Sequence, residues 1–299
     1  MVVILVSGAT GNVGYRLLEN LDDAAAPTTA LVRTEAEAVD LPPRVKYLVG
    51  ALDSPPPPEV LQEFDEVFLH SPDIEAQAEL EILFVDAVVE AGHRPRVLKM
   101  AYDGFQDPDC EVRFMRSHRL VATHLERTGL PVSYLAPAFY MEDLLWSADA
   151  VREEAVLSVP AGTARVAMVA ARDVADVAAA VLTGDAAVDD RDVLVLTGPQ
   201  ALSFADVADR ISAVFARTVE YVDSTPEAAR SALRDSGLSP WQVDGRMEIF
   251  EWIRHGAMDT VTDAVRQATG REPRPLEDWL QEARAVFLSR PPDTPPPRF

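Results

Sequence analysis

The chain has one cysteine, Cys110, in 299 residues. A lone thiol excludes an internal disulfide and a thiolate-built zinc cluster, and it fits a reducing compartment. Lysine is nearly as scarce, at Lys46 and Lys99. Positive charge as a whole falls short. The 27 Lys and Arg face 49 Asp and Glu, a formal net charge of −22 that works against nucleic acid or anionic lipid as a partner. No apolar run approaches the roughly 18 residues of a membrane span. The opening "VVILV" runs into a glycine turn with no basic flank, so no secretion signal is expected and the protein is placed in the cytoplasm. His70, His93, His124 and His255 show no metal-ligand spacing, and no metal is assigned. What remains is an acidic globular chain, 48% hydrophobic, able to bury a sizeable core as one large domain or a domain with an appendage.

Short apolar runs alternate with longer helical patterns, the rhythm of a parallel sheet with crossover helices. Strands are predicted at Val2 to Val6, Thr28 to Val32, Val45 to Val49, Glu66 to His70, Val97 to Met100, Val132 to Leu135 and Val193 to Thr197. Helices are predicted at Glu75 to Ala91, with an apolar stripe of Leu80, Leu83, Phe84, Ala87 and Val88, and at Arg116 to Arg127. The fold class is α/β, a Rossmann-type doubly wound parallel sheet with a smaller, mainly helical C-terminal region. Residues 1–137 form the nucleotide-binding domain, to which the strand at 193–197 returns. Residues 138–299 form an interwoven substrate-binding region, with helices in "ARDVADVAAAVLT", in "LSFADVADRISAVFA" and from Pro226 to His255. "SPPPP" at Ser54 to Pro58 reads as a stiff loop, and the tail "SRPPDTPPPRF" as a frayed end.

Gly8, Gly11 and Gly14 form G-x-x-G-x-x-G directly after the first strand and at the start of a helix. Glycines there permit a tight turn and close backbone approach, while the helix N-terminus offers free N–H groups to a pyrophosphate. About 20 positions on, at the end of the second strand, an acidic residue would bond the 2′-hydroxyl of NAD, whereas arginine pairs with the 2′-phosphate of NADP. Arg33 stands there, so NADP(H) is the expected cofactor, with Glu35 and Glu37 close enough to compete for the same guanidinium.

The chain resembles the NmrA-like group of atypical short-chain dehydrogenases/reductases along nearly its whole length. The resemblance runs through "ILVSGATGNVG", "ALVR", "VFLHSP", "TGLPVSYLAPAFYMEDLL", "ARDVADVAAAVL", "VLTGPQALSFADVADRI" and "TGREPRPLEDWL". It implies that Gly8, Thr10, Gly11, Asn12 and Val13 wrap the pyrophosphate, and that Arg33 and Thr34 meet the adenosine phosphate. It likewise implies His70 and Ser71 on the ribose side and Pro137 to Phe139 at the nicotinamide, with Met100 and Ala101 counted on the cofactor side. One departure lies after the third strand, where the family has Gly-Asp-Leu and this chain has Gly50, Ala51, Leu52, which puts adenine recognition in question.

A second departure concerns chemistry. Short-chain reductases carry a Tyr and, four residues later, a Lys one helical turn away that lowers the phenol pKa and holds the ribose. Here the equivalent helix has Phe114 and His118, and the serine expected past the fifth strand is replaced within "VLKMAYDG" by Met100, Ala101 and Tyr102. His118 is a candidate for ribose binding or for general acid, and Tyr102 a candidate donor from the strand end. Three functions stay open: a reductase working by proximity, a non-catalytic NADP sensor that binds a regulatory protein, and an isomerase or dehydratase. Phe105, Phe139, Tyr140, Met141, Trp146, Met168 and Trp241 lie in segments bordering the nicotinamide, which suits a large aromatic small molecule. The leading expectation is an NADPH-dependent ketoreductase of a bulky aromatic polyketide ketone, angucyclinone-like and tied to antibiotic biosynthesis. The substrate's own hydroxyl supplies the proton, and the protein is a monomer or homodimer.

Overall fold

The computed structural model describes residues 2–289, and residues 290–299 of the proline-rich tail read above as frayed lie outside them. The first half of the chain lays down β1 (Ile4–Val6), α1 (Asn12–Asp23), β2 (Thr28–Val32), β3 (Lys46–Val49), α2 (Pro58–Leu61), β4 (Glu66–Leu69), α3 (Gln77–Glu90), β5 (Arg96–Met100), α4 (Arg113–Thr128) and β6 (Val132–Pro137). The second half continues with α5 (Ala148–Glu154), β7 (Val156–Ser158), β8 (Arg165–Val166), α6 (Ala171–Thr183), β9 (Val193–Leu196), β10 (Leu202–Ser203) and α7 (Phe204–Phe215). It closes with β11 (Glu220–Val222), α8 (Pro226–Asp235), α9 (Pro240–Arg254), α10 (Ala264–Thr269) and α11 (Leu276–Leu288).

Seven strands form one parallel sheet in the order β3-β2-β1-β4-β5-β6-β9. The late strand β9 thus returns to the sheet beside β6. Winding reverses between β1 and β4, the switch point at which open α/β sheets hold their ligands. Two small pairs, β7 with β11 and β8 with β10, join the helices of the second half.

Side chains alternate along a strand, so each strand serves two layers. Ile4, Val6, Ala30, Phe68, Leu98, Met100 and Leu135 share one core with Val13, Leu17 and Leu18 of α1 and Val174, Val177 and Val181 of α6. Leu5, Val67, Leu69, Val97, Ala101 and Tyr134 point the other way, into a core with Phe84 of α3 and Phe114 and Val121 of α4. Burial on both faces explains the nearly unbroken apolar runs of the central strands.

Two elements differ from the sequence expectation. In α3, Leu83 is exposed, and the inward stripe is Gln77, Glu81, Phe84, Val85 and Val88. The spacing of Gln77, Glu81 and Val85 is i, i+4, so two polar groups turn inward on a face that an apolar count alone does not select. The span from Pro226 to His255 is broken by Gly237, which takes φ +90°. Each resulting helix opens with a side-chain cap, Thr225 or Ser239, followed by proline in its first turn.

Candidate active site

The glycine turn is fixed by geometry at two positions. Gly8 takes φ +62°, and a Cβ there would lie 2.9 Å from the His70 carbonyl oxygen. A Cβ on Gly14 would lie 2.1 Å from the Gly8 carbonyl oxygen, so the first turn of α1 can approach the loop only without a side chain. Gly11 is the extended N-cap of α1, and Asn12 accepts a hydrogen bond from Arg16 Nε at 3.1 Å. Thr10 is half-buried beside them, and Val13 packs into the core. The helix end leaves N–H groups for an anion.

Across the cradle, His70 Nδ1 is buried and has no hydrogen-bond partner in the protein. Burial, and then the charge of Lys99, push the His70 pKa down to about 3, so the ring is neutral. An orphaned buried nitrogen beside a cradle that a Cβ would fill fits a bound dinucleotide.

Arg33 sits just past β2 and is held by Glu37, with Nη2 to Oε1 at 2.7 Å and Nε to Oε1 at 3.0 Å. Glu37 Oε2 also accepts the Arg33 backbone N–H at 2.9 Å. Burial opposes it, but the Arg33 backbone and guanidinium hold the Glu37 carboxyl below its ordinary range. Thr34 precedes the 3-10 turn Glu35–Ala38 and makes no side-chain cap bond.

Beside His70 lies a buried polar network. Lys99 of β5 is fully enclosed, and its Nζ donates to the Met100 carbonyl, pairs with Glu81 Oε2 at 3.0 Å and lies 3.1 Å from His118 Nδ1. Glu81 Oε1 accepts from Ser71 Oγ at 2.7 Å, which commits the Ser71 hydroxyl to the network. Gln77 Nε2 is 3.4 Å from both ring nitrogens of His118, while its Oε1 is buried without a partner. Burial lowers the Lys99 pKa from its ordinary range, with the Glu81 charge opposing. Burial, then Lys99 and His70, hold the His118 pKa well below its ordinary value.

A second cluster stands at the carboxyl ends of β4, β5 and β6. Tyr102 Oη donates to Asp73 Oδ2 at 2.8 Å, and the Tyr102 ring stacks on Phe114 and lies 5.4 Å from the His118 ring. Arg246 of α9 reaches Asp143 at 3.2 Å and Asp73 at 3.7 Å. Its guanidinium lies 4.2 Å from the centre of the Trp146 ring and 5.5 Å from that of Phe114. Burial raises the carboxyls of Asp73 and Asp143 despite Arg246, and burial followed by Asp73 raises the Tyr102 phenol well above its ordinary value. The side chains of Asp73, Asp143 and Arg246 keep 11–15% exposure. Close packing against Phe114 depends on Gly245, where a Cβ would lie 2.3 Å from the ring's Cζ.

The remaining residues sort by position. Tyr140 and Trp241 border this cluster, Tyr140 with its ring 6.4 Å from Tyr102 and Trp241 with its ring 5.1 Å from Phe114. Phe105 packs on Tyr134, and the Phe139 ring packs on Phe204 and Phe250, both within the core. Met100 and Ala101 are buried, and Pro137 ends β6. Met141 and Met168 line a separate cavity of about 430 Å³ with Leu202 and Leu276. The sequence pointed to Tyr102 and His118, but not to Lys99, Glu81, Gln77, Asp73, Asp143 or Arg246 as their partners. The available signal was Lys99 in an inward strand slot between Val97 and Ala101. Among the described residues no helix is long and apolar enough to cross a membrane, and no group of three or more His, Cys, Asp or Glu is arranged to hold a metal ion.

The sheet order and the glycine cradle at its switch point define a dinucleotide-binding α/β protein. Within that class the chain belongs to the NmrA-like family, whose profile matches residues 2–280. It is 31% identical over 287 residues to an NAD(P)H azoreductase from Xenophilus azovorans, covering 95% of this chain and 99% of that protein. It is 29% identical over 286 residues to a (4-alkanoyl-5-oxo-2,5-dihydrofuran-3-yl)methyl phosphate reductase from Streptomyces griseus, covering 95% and 99%. Its fold superposes with a TM-score of 0.84 on an NADPH-dependent quinone oxidoreductase from Escherichia coli solved with NADPH, at 20% identity over 94% of this chain and 100% of that one.

Proposed function

We propose that the protein is an NADPH-dependent reductase that delivers hydride to a bulky aromatic acceptor, a ketone or quinone above all. The observation that carries this reading is the packing of Gly8 against His70, with an orphaned ring nitrogen beside a cradle shaped for a pyrophosphate. The NAD(P)H azoreductase and the phosphate reductase among its relatives support the same class of reaction.

When bound, the nicotinamide supplies hydride. The chain binds and orients. Gly8, Thr10, Gly11, Asn12, Val13 and Gly14 hold the pyrophosphate, and Arg33 and Thr34 meet the adenosine phosphate. Arg33 turns from Glu37 to the 2′-phosphate, exchanging one anion for another. His70 and His118, both neutral, face the ribose side. Tyr140, Trp146 and Trp241 wall the acceptor, and Asp73, Tyr102, Asp143 and Arg246 anchor its polar edge.

The proton has another source than Tyr102. That hydroxyl is already donated to Asp73, and a phenol whose pKa is raised is a weaker acid. An acceptor bearing a hydroxyl beside its carbonyl carries its own proton, so an angucyclinone-type polyketide ketone meets the requirement. NADPH oxidation against hydroxyquinones, azo dyes and such ketones tests this, with each hydroxyl substrate paired with its methyl ether. The hydroxyl forms should react at least tenfold faster, and Tyr102→Phe should lose less than tenfold in turnover, whereas loss of a general acid typically costs about 10²–10⁴. Tight NADPH binding with no turnover on any acceptor would overturn the catalytic reading in favour of a sensor.

A further inference from the structure

We propose that Lys99 is a positioning residue that fixes His118 as a neutral ring with its single proton on Nε2. His118 then serves the dinucleotide as a hydrogen-bond donor and not as an acid. The proposal rests on the cofactor reading above and deepens it.

The argument is one of donors and acceptors. An ammonium has three protons and no acceptor. On Lys99 the Met100 carbonyl and His118 Nδ1 at 3.1 Å take protons, and Glu81 Oε2 at 3.0 Å pairs with the charge. Nδ1 therefore accepts, and a neutral imidazole that accepts at Nδ1 carries its proton at Nε2. A second ring proton would set two cationic donors 3.1 Å apart at a site where both residues are at most 2% exposed.

The other groups facing the ring agree. Tyr102 approaches from the loop after β5, His70 from the loop after β4 and Gln77 from α3, and none of them is an anion. Glu81 reaches the ring only through Lys99.

The arrangement replaces a missing part. Where a short-chain reductase sends a lysine from the helix to the ribose, this chain has His118 on α4, and the cation enters from the central strand β5 behind it. Lys99 is fully enclosed and its charge is met by Glu81, so it acts through His118.

Long-range ¹H–¹⁵N NMR of the ¹⁵N-histidine-labelled protein, with and without NADP⁺, reads the tautomer directly. His118 should show one neutral form, protonated at Nε2, unchanged from pH 5.5 to 8. Lys99→Met should shift the ring toward Nδ1 protonation and weaken NADPH binding about tenfold, with a smaller loss of turnover at saturating cofactor. Lys99→Arg should return the original tautomer in part. Because Lys99→Met leaves Glu81 buried and unpaired, Lys99→Met with Glu81→Gln is measured alongside and should show the same tautomer shift. A His118 that titrates between pH 6 and 7, or that carries its proton on Nδ1 in the unmodified protein, overturns the proposal. So does a tautomer untouched by either variant. If the tautomer is as stated while NADPH fails to bind, the cofactor reading falls and the relation of Lys99 to His118 stands.

Discussion

The two faces of the sheet are packed with different chemistry. Under α1, α6 and α10 the buried set is aliphatic, chiefly Ala, Val and Leu, with Phe68 as its one ring among the described residues. Under α3 and α4 the core holds Phe64, Phe84, Phe105, Phe114 and Tyr134, and the same face encloses Lys99, Glu81, Gln77 and His118. The first face also buries charge, Asp22 of α1 and Asp173 of α6, but their arginine partners Arg44 and Arg274 reach solvent. On the second face both members of the Lys99–Glu81 pair are enclosed, a costly arrangement that marks where the protein has exchanged stability for chemistry.

The largest expected effect breaks that contrast at the cradle between the faces. Gly14→Ala puts a Cβ 2.1 Å from a backbone carbonyl, so the turn itself must move. NADPH affinity, followed by protein fluorescence, should fall at least a hundredfold.

The next pair of variants weighs the faces against each other. On the aliphatic face, Leu18→Ala should cost about 2–5 kcal/mol in urea unfolding and leave the Michaelis constant for NADPH unchanged. On the polar face, Glu81→Ala leaves Lys99 buried and unpaired, at a cost of about 3–5 kcal/mol. There the Michaelis constant should rise as well. Equal kinetics for the two variants would erase the distinction between the faces.

Acid sharpens it further. His70 and His118 have folded pKa values below their ordinary value, through burial and then Lys99, so below pH 6.5 the unfolded chain binds more protons than the native one. Each therefore costs about 1.4 kcal/mol of stability per pH unit as pH falls from 6.5, for His70 down to about 3. The raised carboxyls of Asp73 and Asp143 act in the opposite sense, adding stability as pH falls toward 3.8. Urea midpoints at pH 7.5, 6.5 and 5.5 should decline, and His118→Gln should remove about half of the decline between pH 6.5 and 5.5.

The smallest effect is at the exposed rim. NADPH should bind at least tenfold more tightly than NADH, and Arg33→Ala should remove the preference, since a charge-assisted pair contributes about 1.5–3 kcal/mol. Glu37→Gln should tighten NADPH by no more than about fivefold, because an exposed ion pair is worth about 0–1 kcal/mol. Equal dissociation constants for the two cofactors in the unmodified protein would remove Arg33 from the site.

All seven sheet strands, the glycine turn and Arg33 were legible in the sequence, because each follows from local period or local chemistry. His118 and Tyr102 were legible as departures from an expected pattern. Their partners were not. Asp73, Lys99, Asp143 and Arg246 come from four separated segments and meet only because the sheet order brings the ends of β4, β5 and β6 together under α9. Glu81 was hidden for a different reason, since a polar residue on a helix is read as solvent-facing unless its i, i+4 neighbours are weighed with it.

The contact of Phe114 with Gly245 also sets the seating of α9. A Cβ at Gly245 would lie 2.3 Å from Cζ and 2.6 and 2.8 Å from the two Cε atoms of Phe114, so the glycine backbone rests against that ring. Gly245→Ala would push the ring or the helix aside, at an overpacking cost of about 1–3 kcal/mol. Arg246 is the next residue on the same helix, so a displaced α9 carries the guanidinium away from Asp73 and Asp143. The absence of one methyl group thus calibrates a charge cluster.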